Sequence, residues 1–135
     1  MQIAISLEKL LQSADLKITT PRKKVLDVLN MYREPISADV VIQKTKLDKA
    51  TVYRVLHAFT GANITREIDL RQGKLLYELA DGQHHHHVIC TGCNSIQCIA
   101  ACTFSKLKSK IEKQSGFAEI TDHTTEFFGT CKKCI

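Results

Sequence analysis

Apolar residues keep a helical spacing as far as Phe59 and then switch to short β-like runs, and this switch organises the chain. Leu7, Leu10, Leu11 and Ala14 set a first helix over residues 6–14. Thr20 is placed to cap a second helix, with Pro21 at the tolerated first position. Its inward stripe is Val25, Val28, Leu29 and Tyr32, and it must stop before Pro35. Ser37 is placed to cap a third helix containing Val40, Val41 and Lys44. A connection over residues 45–48 leads into a fourth helix, residues 49–59.

The fourth helix can be read face by face. Val52, Val55, Leu56 and Phe59 form an apolar stripe that must pack inward. Ala50, Arg54 and His57 lie nearly opposite, with Thr51 and Tyr53 on the flanks. That outer face offers a guanidinium, a phenol, a hydroxyl and a methyl, groups suited to base edges and phosphates. After Gly61 come two β-like runs, residues 64–70 and 74–79, hinged at Arg71-Gln72-Gly73. A hairpin directly after a recognition helix is a wing, so residues 1–80 read as a winged helix-turn-helix DNA-binding domain. A small helical packing module shares the same pattern.

Residues 80–83, Ala-Asp-Gly-Gln, form a polar break and the expected hinge. Beyond them, residues 84–135 predict strands near 88–90 and 95–99. A helix follows over about 103–114, spaced by Phe104, Leu107 and Ile111, and then a last long strand over 117–128. The fold class is therefore α+β, an N-terminal winged helix followed by a small α/β domain. Two domains within 135 residues are each marginal alone, and a structural metal or a dimer partner is the usual remedy.

Charge sharpens the picture. The net charge is +5, and residues 17–54 carry nine Lys or Arg against four Asp or Glu. A basic N-terminal block suits nucleic acid, with a solvated surface as the plain alternative. No apolar run approaches the ~20 residues of a membrane span, and no charged-then-apolar signal opens the chain. The six cysteines are accordingly expected in a reducing, cytoplasmic compartment, where thiolates bind metal.

Four of those cysteines form two knuckles, Cys90-Thr-Gly-Cys93 and Cys131-Lys-Lys-Cys134. Each Cys-x-x-Cys turn aims two sulfurs at a point about 2.3 Å away, and two such turns close a tetrahedral zinc site. The 37 intervening residues make this a staple between strand and tail rather than a lone zinc finger. Disulfides or scattered buried thiols are the other readings. Immediately before the first knuckle lies His84-His85-His86-His87, which leaves open a nonspecific metal sponge or an internal tag.

Together these motifs resemble the ferric uptake regulator family. The resemblance rests on Ala50-Thr51-Val52-Tyr53-Arg54-Val55-Leu56, the histidines before Val88-Ile89-Cys90-x-x-Cys93, and His123 eight residues before Cys131-x-x-Cys134. It implies a homodimeric, metal-responsive repressor that binds double-stranded operator DNA and controls iron or zinc homeostasis, not an enzyme. The C-terminal domain would be the dimerisation domain. The resemblance puts structural Zn2+ on Cys90, Cys93, Cys131 and Cys134. It puts a regulatory ion, Fe2+ or Zn2+, on Glu78, His85 and His87, and a further metal on His84, His86 and His123. Residues two apart on a strand share a face, which gives four consecutive histidines a reason to serve two sites. Donors from both domains would then bias a two-state hinge. DNA contacts fall on Lys17, Arg22, Thr51, Tyr53 and Arg54.

The departures bear on the metal. Pro35 stands where many members have a histidine, and Cys98 stands where iron- and peroxide-sensing members keep a carboxylate. Near Ser105 and Lys106 the glutamate expected for the further site is absent, though Cys102 is close by. The loop before the recognition helix is also shorter than usual. Glu78, His85, His87 and Cys98 would be four donors of tetrahedral type, which favours zinc and raises the narrower alternative of a zinc uptake regulator. Cys98 as a small core residue is the competing reading. A zinc-dependent hydrolase or a metal buffer is the remote alternative.

Overall fold

The computed structural model describes residues 7–32, 34–71, 73–80, 85–100 and 102–135. It divides into two compact units, Met1–Gln83 and His84–Ile135.

The first unit opens with α1 (Leu7–Ser13), α2 (Thr20–Met31), a two-residue strand β1 (Ile36–Ser37), α3 (Ala38–Thr45) and α4 (Lys49–Gly61). The cap of α2 is Thr19, not Thr20: its side chain accepts from the Arg22 backbone N–H at 3.4 Å, and Thr20 is already helical. Ser37 caps α3 through Val40 N–H, and Lys46, at φ 63°, turns the chain out of that helix. Val52, Val55, Leu56 and Phe59 on α4 are buried and join Leu11, Val25, Leu26, Leu29 and Val41 in one core cluster. The wing is β2 (Thr65–Asp69) and β3 (Leu75–Leu79), antiparallel from Thr65↔Leu79 to Asp69↔Leu75. β1 adds to its far edge, so the strand order is β1-β3-β2. Gly73 takes φ +71° in the wing turn, a conformation that costs other residues.

The second unit contains β4 (His86–Cys90), β5 (Ile96–Ile99), α5 (Phe104–Ser115) and β6 (Glu126–Gly129). β4 is central, antiparallel to β5 and parallel to β6. The parallel pair needs a crossover, and α5 supplies it. The expected long strand over 117–128 is reduced to Glu126–Gly129, because only residues from 126 onward find a partner in β4. Among the described residues of this unit only His86, His87, Ile89 and Cys90 are buried, and α5 buries none. Leu107, Ile111, Phe117 and Phe127 are all exposed. Too little apolar surface is covered to hold such a unit by packing alone.

Candidate metal centres

The four knuckle cysteines come together at the end of β4 and the tail after β6. Their sulfurs all lie within 4.8 Å of one another, and Cys93 Sγ is 3.8 Å from Cys131 Sγ. Two sulfurs each 2.3 Å from a tetrahedral zinc would be separated by about 3.8 Å, so the cluster fits that ion. Pairing of β4 with β6 creates this approach, since Cys90 is in register with Gly129. Gly92 makes room: a Cβ there would lie 3.0 Å from Cys134 Sγ and 3.1 Å from its Cβ.

The charge balance also suits a cation. The Cys131 N–H, then the Cys93 and Gly92 N–H groups, lower the Cys90 thiol to about 6. The Ser95 hydroxyl and backbone lower Cys93. Neighbouring sulfurs, first Cys131 and then Cys93 and Cys90, push Cys134 up to about 12. Four sulfurs compete for negative charge in one small volume, and a divalent cation removes that competition.

The histidine run is divided by the faces of β4. Ligand atoms of His85, His87 and Cys98 gather within 4.8 Å, and His87 is the cross-strand partner of Cys98. Cross-strand partners share a face, which brings the thiol to the imidazoles. The His85 and His87 rings meet edge to face at 4.9 Å. On the other side, ligand atoms of His86, Cys102 and His123 gather within the same limit. His84 lies outside the described residues. Glu78 sits in β3 of the first unit, buried, opposite Arg66 in register. Sequence reasoning gave Cys102 no assigned role, because its meeting with His123 depends on the irregular path of 117–125, which has no periodic signal.

The candidate nucleic-acid face is on α4. Asp48 caps the helix: its carboxylate accepts from Thr51 N–H at 3.1 Å and from the Thr51 hydroxyl at 2.6 Å. That hydroxyl, then the backbone N–H, holds the Asp48 carboxyl below its usual value. Thr51 Oγ1 in turn accepts from Arg54 Nη2 at 3.3 Å. Asp48, Thr51 and Arg54 are thus one chain of contacts, with Ala50, Tyr53 and His57 exposed beside it. Lys17 is exposed, and its backbone carbonyl accepts from Arg22 Nη1 at 2.9 Å.

A winged helix followed by a domain carrying clustered thiols and imidazoles defines a class, the DNA-binding regulators that respond to metal. The ferric uptake regulator family model matches residues 13–128. The ferric uptake regulation protein of Bordetella parapertussis is 32% identical over 130 residues, covering 92% of this chain and 93% of that one. Among solved structures, the ferric uptake regulator from Francisella tularensis with iron is 34% identical at TM-score 0.76, covering 88% of this chain and 94% of that one. The Pseudomonas aeruginosa ferric uptake regulator with manganese is 28% identical at TM-score 0.80, covering 95% and 99%. The chain belongs to the ferric uptake regulator family. It is a metal-responsive, DNA-binding transcriptional regulator with an N-terminal winged helix and a C-terminal dimerisation domain. These likenesses do not favour the narrower zinc uptake regulator. Members of the family are transcription regulators, which leaves the hydrolase and buffer alternatives without support.

Proposed function

We propose that this chain is a cytoplasmic homodimer that represses transcription by holding α4 in the major groove of operator DNA when its regulatory site carries Fe2+ or Zn2+. The observation that supports this most is the convergence of His85, His87 and Cys98 where β4 pairs with β5, in a unit that also holds a separate four-cysteine cluster. The division of labour follows from chemistry. Cys90, Cys93, Cys131 and Cys134 hold a structural zinc that substitutes for the apolar core this unit lacks. His85, His87 and Cys98 hold the regulatory ion, with Glu78 added as an oxygen donor on the resemblance alone. A cation bound there supplies the charge that keeps these donors together. His84, His86 and His123 carry the further site by the same resemblance.

On the DNA side, Tyr53 and Arg54 face bases or adjoining phosphates. Thr51 presents its methyl while its hydroxyl serves the cap, and Lys17 and Arg22 reach the sugar-phosphate backbone. Exposed Leu107, Ile111 and Phe127 support a second copy of the chain as the partner of the C-terminal domain.

A His85→Ala/His87→Ala double variant tests the reading. It is expected to keep its fold and its structural zinc, because neither residue touches the knuckles, and to lose metal-dependent DNA binding. DNA binding that still responds to metal in this variant would refute the sensing role.

A further inference from the structure

We infer that Asp48 is a specificity-determining positioning residue: through the Thr51 hydroxyl it orients the Arg54 guanidinium toward one base pair of the DNA that α4 reads. The inference deepens the proposed function, and it rests on that reading for the docking of α4.

The three residues follow one another at the start of α4 with the spacing that places helical side chains side by side, and Asp48 and Arg54 are both exposed. Capping of the helix uses only one carboxylate oxygen: Asp48 Oδ2 accepts from the Thr51 N–H at 3.1 Å. Oδ1 is surplus to the cap. It accepts from the Thr51 hydroxyl at 2.6 Å, the short distance of a bond to a charged acceptor. This second bond decides where the hydroxyl proton goes. With the proton committed to Asp48, the lone pairs of Thr51 Oγ1 face elsewhere, and Arg54 Nη2 donates to that oxygen at 3.3 Å. A guanidinium only donates, so it needs an oxygen turned this way. Without Asp48 the hydroxyl is a free rotor that need not present a lone pair to Arg54.

The rest of the guanidinium keeps its N–H groups for DNA, enough for the bidentate contact that arginine makes with a base edge in the major groove. An exposed arginine samples many rotamers, and holding it in one of them before binding contributes about two- to tenfold to affinity. Charge points the same way. Asp48 puts a negative charge on a face that must approach phosphates, which weakens binding to any DNA. Its place there is explained by orientation rather than attraction. The Thr51 hydroxyl and then the Thr51 N–H hold the Asp48 carboxyl below its usual value, so the acceptor stays ionised.

The test uses the full zinc-stapled chain, saturated anaerobically with whichever of Fe2+, Zn2+ and Mn2+ gives the tightest binding. Affinities are measured for a duplex selected from a random pool, for its single-base-pair variants and for an unrelated duplex. Arg54→Ala is expected to abolish discrimination at one base pair. Asp48→Asn keeps a capping oxygen and Thr51→Val leaves the cap untouched, so α4 forms in both. Each is expected to lower discrimination at that same base pair by about two- to tenfold. Thr51→Ser, which retains the hydroxyl, is expected to match the parent there. Asp48→Asn is also expected to bind the unrelated duplex at least as tightly as the parent, whereas loss of a merely structural residue would weaken binding to every duplex. Adding Asp48→Asn to Arg54→Ala is expected to change nothing further. The inference is overturned if Arg54→Ala relaxes no base pair, or if Asp48→Asn and Thr51→Val keep parental discrimination. It is also overturned if their losses spread evenly over all duplexes, or if Asp48→Asn shifts base preference in the Arg54→Ala background. In each of these cases selective, metal-dependent binding by the parent leaves the proposed function standing. A parent that binds no duplex selectively brings down the proposed function itself.

Discussion

Gly92 shows how one missing side chain shapes the zinc staple. A methyl there would press on Cys134 at 3.0 Å, so the second knuckle would have to move by a few tenths of an ångström. Gly92→Ala is expected to weaken structural zinc about 10- to 100-fold, measured by competition with a chromophoric chelator. Unchanged zinc affinity would contradict the packing of the two knuckles. Arg54 is the matching residue on α4, tied through Thr51 to the Asp48 cap. Arg54→Ala is expected to cost about 1–3 kcal/mol in binding to selected DNA if it reads a base. Lys17→Ala should instead weaken binding to all sequences and reduce the salt slope by about 1. Two variants that both bind like the parent would remove α4 from the interface.

At the scale of elements, legibility followed the strength of the local pattern. The stripe of α4 and the wing runs flanking Gly73 show in the sequence because each rests on close-range periodicity or turn chemistry. The cap of α2 shifted by one residue because Thr19 and Thr20 are chemically equivalent choices. The strand expected over 117–128 shrank because β propensity cannot say where a partner strand ends. The alternating histidines were legible as two faces, whereas Cys102 could be noted only as close to the further site, since the 20 residues between it and His123 include an irregular stretch after α5. The α5 helix carries its own prediction. Leu107 and Ile111 are exposed at 46% and 38%, on a helix none of whose residues is buried. Leu107→Glu is expected to weaken dimerisation by about tenfold or more in sedimentation equilibrium. A dimer of parental strength would show that the second copy docks elsewhere.

For the whole molecule, the two units divide the work by composition. The first packs a continuous apolar core. The second has four buried residues among those described, and the proposed structural zinc would supply what its packing does not. A regulator can exploit that difference, because a unit held by ligand chemistry changes its properties when an ion arrives. Metal control of DNA binding by this chain unites the two units. It is tested most directly by fluorescence anisotropy with labelled DNA selected from a random pool, using zinc-stapled protein titrated anaerobically with Fe2+, Zn2+ and Mn2+ in turn. Tight, sequence-selective binding is expected to appear on addition of at least one of these ions and to disappear on chelation of the regulatory ion while the structural zinc stays bound. Equal affinity for that DNA with and without added metal would contradict it.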